Sequence, residues 1–282
     1  MSHMLTKRLI TAVWGIPLVG VAIWFGEPWI FTVFVSIWGL LAVIEFFRLV
    51  RIFKVAPVYL FGILWTLFFI VVRNPLLPDV ISPYFDFDLV VPLLLTSGIV
   101  ISLTSLLVRK EKFNAFPAWA WTFAGILYVG WLLGYLVSLR GIEDGRNWVF
   151  YALFCTFGSD TAAFFIGKAI GRHKLAPSIS PGKTWEGSIG GLLGAVGVSF
   201  LFLLPTPLAL VSALNWWQAV ILGILVSIFG QVGDLVESLL KRNAGAKDSG
   251  TLLAGHGGVL DRIDSIIFAV VIVYYWLLWT NR

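Results

Sequence analysis

The chain has 282 residues, of which 59% are hydrophobic and only 12% charged, and its mean hydropathy is +0.93. Soluble proteins carry about 25% charged residues, so the composition excludes a soluble globular enzyme, and the 14 Trp and 23 Phe suit a bilayer interior with aromatic belts at its edges. A single cysteine, Cys155, excludes an intrachain disulfide and paired-cysteine metal chemistry, and the net charge of +5 is explained by loop topology rather than by nucleic-acid binding.

In chain order, the first three residues, "MSH", read as a cloning remnant and are set apart. A spanning helix needs roughly 20 mostly apolar residues. Nine stretches qualify, at about 9–25, 29–47, 57–72, 89–108, 118–139, 148–167, 187–204, 216–238 and 263–279. Pro28, Pro57 and Pro117 lie near the starts of spans, where a missing N–H costs no helical hydrogen bond. The expected fold is therefore an all-α polytopic membrane protein of about nine transmembrane helices. With the N-terminus in the cytoplasm, sixteen of the twenty Lys and Arg residues fall on the inside. Only Arg73, Arg140, Arg146 and Arg282 fall outside, and the C-terminus ends there. The two segments richest in polar motifs, 168–186 and 239–262, are then cytoplasmic.

The halves differ. Over 4–147 the polar residues sit mainly in short loops, with Glu45 near a helix end as an exception. Over 148–282 carboxylates enter the apolar spans. This suggests an N-terminal transmembrane scaffold followed by a catalytic transmembrane half. An ionisable group in the bilayer core costs about 2.5–3.5 kcal/mol on insertion scales, so such groups mark function. Asp160 lies in "FGSDTAAFFIGK", eight residues before Lys168 and near the same helical face. Asp234, Glu237 and Lys241 share one face of the next-to-last span, although Glu237 and Lys241 can equally form a simple ion pair.

The last span is preceded by "GHGGVLDRID". Asp261 and Asp264 are one turn apart and would repel unless a cation lay between them. Oxygen ligands of this kind suit Mg²⁺, which keeps waters and bridges to substrate phosphates. Alternatively, both aspartates open the last helix, where negative charge is favoured. Gly255, Gly257 and Gly258 allow close backbone approach to a ligand, or mark a turn. His256 suits a general acid, a phosphate contact or a turn residue. His173, between Arg172 and Lys174, reads as an interfacial phosphate or lipid contact.

The segment "SISPGKTWEGSIGG" ends like a Walker A loop but has Pro177 where that loop requires its first glycine, and no strand is expected before it. A P-loop fold is excluded. Ser180, Lys183 and Thr184 remain able to bind phosphate at the following helix N-terminus. Gly187, Gly191 and Gly194 form a small-residue face for helix packing. Together these residues suit metal-dependent phosphoryl or nucleotidyl transfer at a membrane surface, where catalysis is mostly positioning and charge neutralisation. A lipid kinase, an isoprenoid-lipid cytidylyltransferase and a cation-coupled transporter are the alternatives.

Residues 238–264, "SLLKRNAGAKDSGTLLAGHGGVLDRID", closely resemble the signature of the phosphatidate cytidylyltransferase family, also called CDP-diacylglycerol synthases. The matching elements are Ser238, Lys241-Arg242, Lys247-Asp248, His256-Gly257-Gly258, Asp261-Arg262 and Asp264. "SDTAAFFIGKAIGRHKL" and "SISPGKTWEG" resemble further family blocks in the same order. Ala254 departs from the Pro, Gly or Ser usual there.

The resemblance implies condensation of CTP with phosphatidic acid to CDP-diacylglycerol and pyrophosphate. It also implies Mg²⁺, alone or with a second cation, a homodimer, and a bacterial inner membrane with the site facing the cytoplasm among membrane lipids. Asp234, Asp261 and Asp264, with Asp160, are then expected to hold metal. Lys241, Arg242, Lys247 and Arg262 would neutralise phosphates, and Asp248 would orient Lys247 or a water on the metal. Ser180, Lys183 and Thr184 would cradle the triphosphate or the lipid phosphate.

Overall fold

The computed structural model describes residues 17–108, 112–210, 214–250 and 257–280. Two compact units emerge, Met1–Gly141 with Ala244–Asp261, and Ile142–Asn243 with Arg262–Arg282.

The first unit contains α1 (17–25), α2 (Pro28–Ile52), α3 (Tyr59–Val71), the short α4 (Leu77–Ile81), α5 (Val90–Leu107), α6 (Ala115–Gly125) and α7 (Tyr135–Arg140). Pro28 occupies the first turn of α2. Its carbonyl accepts from Thr32 Oγ1 at 2.7 Å and from Asn74 Nδ2 at 3.2 Å, which ties the start of α2 to the turn after α3. Val35, Ala42, Val43, Phe46, Phe47 and Val50 turn the inner face of α2 into core. Helices α6 and α7 belong to one span, Ala115–Arg140, joined through a π-helical segment at Ile126–Trp131. There a Cβ on Gly130 would stand 2.8 Å from the Thr66 backbone, so the segment packs against α3 at its closest point. The Arg73 guanidinium covers the Tyr135 ring at 3.9 Å, an interaction that strengthens when desolvated.

The second unit contains α8 (Gly145–Ile170), strands β1 (Lys174–Ala176) and β2 (Ser180–Thr184), α9 (Trp185–Leu201) and α10 (Trp216–Asn243). Most of α11 (Leu260–Thr280) also belongs to it. Helices α8 and α9 pack backbone to backbone. A Cβ on Gly187 would lie 2.8 Å from the Ala163 carbonyl oxygen, and one on Gly194 would lie 2.6 Å from that of Gly158. The expected small-residue face is thus a packing face within the chain, as lipid-embedded helices require. Helices α10 and α11 approach as closely, since a Cβ on Gly233 would stand 2.4 Å from the Asp264 carbonyl oxygen.

Among the described residues, six helices are long and apolar enough to cross a membrane: Pro28–Ile52, Phe87–Leu107, Ala115–Arg140, Gly145–Ile170, Trp216–Asn243 and Leu260–Thr280. Tyr59–Val71 and Trp185–Leu201 are apolar but shorter. The molecule is therefore a helical, multi-pass membrane protein. Eight of the nine expected spans coincide with these helices, and the first, 9–25, is described only over 17–25, with its first eight residues outside the described residues.

Among the described residues, one sheet departs from the all-helical expectation. Segment 168–186 holds an antiparallel hairpin, with Lys174 opposite Thr184 and Ala176 opposite Ser180. Pro177 and the short Ser178–Ile179 turn reverse the chain, and Ile179 N donates to Ala176 O at 3.2 Å. The strands are too short to show alternation in the sequence.

Candidate active site

The second unit gathers its charges where α8, β2, α10 and α11 meet. Strand β2 delivers Lys183, whose Nζ lies 2.8 Å from Asp234 Oδ2 and also donates to the Gln231 carbonyl at 3.4 Å. Ser238, one turn after Asp234, donates to its Oδ1 at 3.2 Å. Lys241 pairs with the fully buried Glu237 one turn before it, so the ion-pair reading of those two holds. Asp264 is buried, and its Oδ1 accepts from the Ser265 amide at 2.7 Å. Asp160, exposed on α8, lies within electrostatic reach of Asp234 and Lys183, and Asp264 within reach of Asp160, Asp234 and Lys241. Four carboxylates (Asp160, Asp234, Glu237, Asp264) face two ammonium groups (Lys183, Lys241), an excess of two formal negative charges. In a low-dielectric setting such an excess attracts a cation strongly.

A polar seam supports this cluster. Ser159 Oγ meets Ser227 Oγ at 2.7 Å, Gln231 Nε2 donates to Ser227 Oγ at 3.0 Å, and Ser188 Oγ donates to Gln231 Oε1 at 2.5 Å. The seam crosses α8, α10 and α9 and fixes the turn of α10 that carries Asp234. Sequence reasoning missed it. Gln231 is the available signal, a polar residue in an apolar span three positions before Asp234.

The hairpin is anchored at both ends. Thr184 is buried and N-caps α9, its Oγ1 accepting from the Gly187 amide at 3.1 Å. Arg242 Nε donates to the Ile179 carbonyl at 3.1 Å, tying the end of α10 to the hairpin turn. His173 is held by Glu186, with Nδ1 at 2.6 Å from Oε1. Of the proposed phosphate cradle, Lys183 reaches the acidic cluster, Ser180 stands half-buried at the start of β2, and Thr184 serves the helix cap.

The first unit holds the rest of the signature except Arg262, which belongs to the second. Lys247 and Asp248 are exposed after α10. Asp261 Oδ2 accepts from the Ser249 amide at 3.0 Å, Ser249 Oγ at 2.9 Å and the Gly258 amide at 2.7 Å. Gly257 has φ +83°, and a Cβ there would lie 2.9 Å from Asp261 Oδ2, so glycine is required by conformation and by space. Glu45 of α2 is fully buried, with Oε2 accepting from the Leu260 amide at 2.9 Å and lying 3.1 Å from Ser249 Oγ. Its role here was not legible in the sequence. Arg262 is exposed on the first turn of α11. His256 lies outside the described residues.

Among the described residues no three His, Cys, Asp or Glu side chains converge as a ready-made metal cage. Mg²⁺ needs none, because it is commonly held by one or two carboxylates together with waters and substrate phosphates. Asp234 and Asp264, with Asp160 in reach and an unbalanced negative charge, fit that requirement.

The sequence profile of the cytidylyltransferase family matches residues 6–280. The chain is 33% identical over 248 residues to the phosphatidate cytidylyltransferase of Bacillus subtilis (strain 168), covering 88% of each chain. It is 42% identical over 183 residues to the phosphatidate cytidylyltransferase of Brucella suis biovar 1 (strain 1330), where the match spans 64% of each chain. A protein of the same name from Staphylococcus haemolyticus (strain JCSC1435) is 41% identical over 178 residues, 63% of this chain and 65% of that one.

Proposed function

The chain belongs to the cytidylyltransferase family, and from that premise we propose that it condenses CTP with phosphatidic acid to give CDP-diacylglycerol and pyrophosphate. The observation that carries this reading is the cluster of Asp160, Lys183, Asp234, Lys241 and Asp264 in a membrane-embedded unit. It combines acidic oxygens for a cation with ammonium groups for phosphates, the two requirements of phosphoryl-group chemistry.

An oxygen of the lipid phosphate attacks the α-phosphorus of CTP in line. The new O–P bond forms as the bond from that phosphorus to the bridging oxygen of the β-phosphate breaks, and pyrophosphate leaves with the electron pair. The nucleophile is already anionic at pH 7, so no strong protein base is needed. Asp234 and Asp264, with Asp160, would hold Mg²⁺. When bound, that ion would neutralise triphosphate charge and polarise the reacting phosphoryl group. Lys183 and Lys241 meet developing negative charge from β2 and α10, and Arg242, Lys247 and Arg262 add positive charge toward phosphates. Ser180 offers a hydroxyl to phosphate, while Thr184 contributes by capping α9. Gly257 and Gly258 give the backbone its close approach, and Asp248 orients Lys247. His256 is assigned a phosphate contact. Asp261, proposed from the sequence as a further ligand, is tied by Oδ2 to Ser249 and Gly258.

The same reading includes nine spans, a cytoplasmic N-terminus, a site facing the cytoplasm of a bacterial inner membrane, and a homodimer. The charge bias of the loops supports the orientation.

The test is nucleotide-dependent turnover in detergent with phosphatidic acid, Mg²⁺ and each NTP in turn. Pyrophosphate release that is CTP-selective, lipid-dependent and lost in Asp234→Asn is expected. Release of nucleoside diphosphate instead, or no turnover by folded protein, would overturn the assignment.

A further inference from the structure

We infer that Glu45 is a positioning residue for the reaction, fixing Ser249, Gly250 and residues 258–261 and with them the acidic first turn of α11. The inference rests on the reaction proposed above. Glu45 is 0% exposed, on a helix whose other buried residues are almost all apolar. A buried carboxylate persists in such a place only when its hydrogen bonds offset its desolvation. Its partners are remote in sequence, Ser249 at a separation of 204 residues and Leu260 at 215.

The geometry explains what those contacts achieve. Leu260 opens α11, so its amide is one of the donors that the helix itself leaves unsatisfied. Glu45 Oε2 takes that donor, placing negative charge at the positive end of the helix. The same oxygen lies 3.1 Å from Ser249 Oγ, which is also 2.9 Å from Asp261 Oδ2, so the two carboxylates share the single hydroxyl proton. Glu45, Ser249 and Asp261 thus form one relay that ends a single turn before Asp264. The fit is tight on two sides, since a Cβ on Gly250 or on Gly258 would stand 2.4 Å from a Glu45 carboxylate oxygen. Gly250 and Gly258 both close on this carboxylate, and the carboxylate holds the start of the helix.

The experiment compares parent, Glu45→Asp and Glu45→Gln in detergent by two readouts. These are kcat and KM for CTP in pyrophosphate release, and the rate of trypsin cleavage at the exposed Lys247. Aspartate keeps charge and folding but withdraws the oxygens by one methylene. A misplacement on the order of 1 Å can cost about 10²-fold in rate. Glu45→Asp is therefore expected to lower kcat strongly with KM for CTP little changed, and to accelerate cleavage at Lys247. Glutamine retains an acceptor oxygen for both donors and is expected to stay close to the parent in both readouts. Parental kcat or parental cleavage in Glu45→Asp overturns the inference. So does a Glu45→Gln variant as impaired as Glu45→Asp, because charge rather than placement would then matter. If the parent itself fails to turn over CTP, the proposed reaction fails, while the cleavage comparison still tests the clasp.

Discussion

Lys183 is the residue whose removal most directly exposes the charge balance of the second unit. Its ammonium stands 2.8 Å from Asp234, in a cluster that already carries more carboxylates than ammonium groups. Lys183→Met keeps the apolar stem and removes only the charge, leaving Asp234 facing Asp160 and Asp264 with one cation fewer. Loss of a single preorganised charge-stabilising group typically lowers turnover by about 10²–10³-fold. We expect kcat/KM for CTP to fall in that range, measured by pyrophosphate release. Lys183→Arg should recover only part, because a planar fork does not replace a compact point charge. Unchanged kcat/KM in Lys183→Met would reduce Lys183 to a tie between hairpin and helix. Asp160, Asp234 and Asp264 stand out in the sequence because a charge in or beside an apolar run is costly, and Lys183 because it lies in a Gly-Lys-Thr segment. The importance of Glu45 does not, since what distinguishes it is a partner more than 200 residues away.

Helices α10 and α11 meet through a glycine, and that contact sets the spacing of two proposed metal carboxylates. Gly233 precedes Asp234, and a Cβ on it would stand 2.4 Å from the backbone oxygen of Asp264. Backbone cannot rotate away as a side chain can, so Gly233→Ala must push the helices apart. Overpacking of this kind costs roughly 1–3 kcal/mol. The expected outcome is a lower Tm in detergent together with loss of turnover, because Asp234 and Asp264 move with their helices. Gly197→Ala on α9 is the control, with nothing within 4 Å of the added methyl, and should leave both quantities close to the parent. The six helices long and apolar enough to cross a membrane could be read from hydropathy, since the bilayer imposes their length and apolar character. Hydropathy could not reveal the hairpin at Lys174–Thr184 or the π-helical segment at Ile126–Trp131. The first depends on pairing between two very short strands and the second on a close contact with α3, and neither leaves a periodic trace.

The chain divides less simply than its charge pattern suggests. Carboxylates enter the apolar spans after residue 147, which points to an N-terminal scaffold and a C-terminal half that carries the chemistry. The first unit, however, reclaims Ala244–Asp261, which includes Lys247, Asp248 and Asp261 of the signature. The groups that hold this segment include Glu45 Oε2, which accepts from Ser249 Oγ and the Leu260 amide. A fragment of residues 142–282 retains the cluster of Asp160, Lys183, Asp234, Lys241 and Asp264 but lacks Glu45. Its Leu260 amide loses its acceptor, Ser249 Oγ keeps only Asp261 Oδ2, and the glycines at 250 and 258 have no carboxylate to close around. We expect such a fragment, even where it inserts into membranes, to release no pyrophosphate from CTP and to be cut rapidly by trypsin at Lys247. Co-expression with residues 4–141 should restore both protection and turnover, because the missing acceptor returns with α2. Turnover by 142–282 alone would confine catalysis to the second unit and leave the Glu45 clasp a feature of stability. The opposite result would make α2 part of the catalytic apparatus.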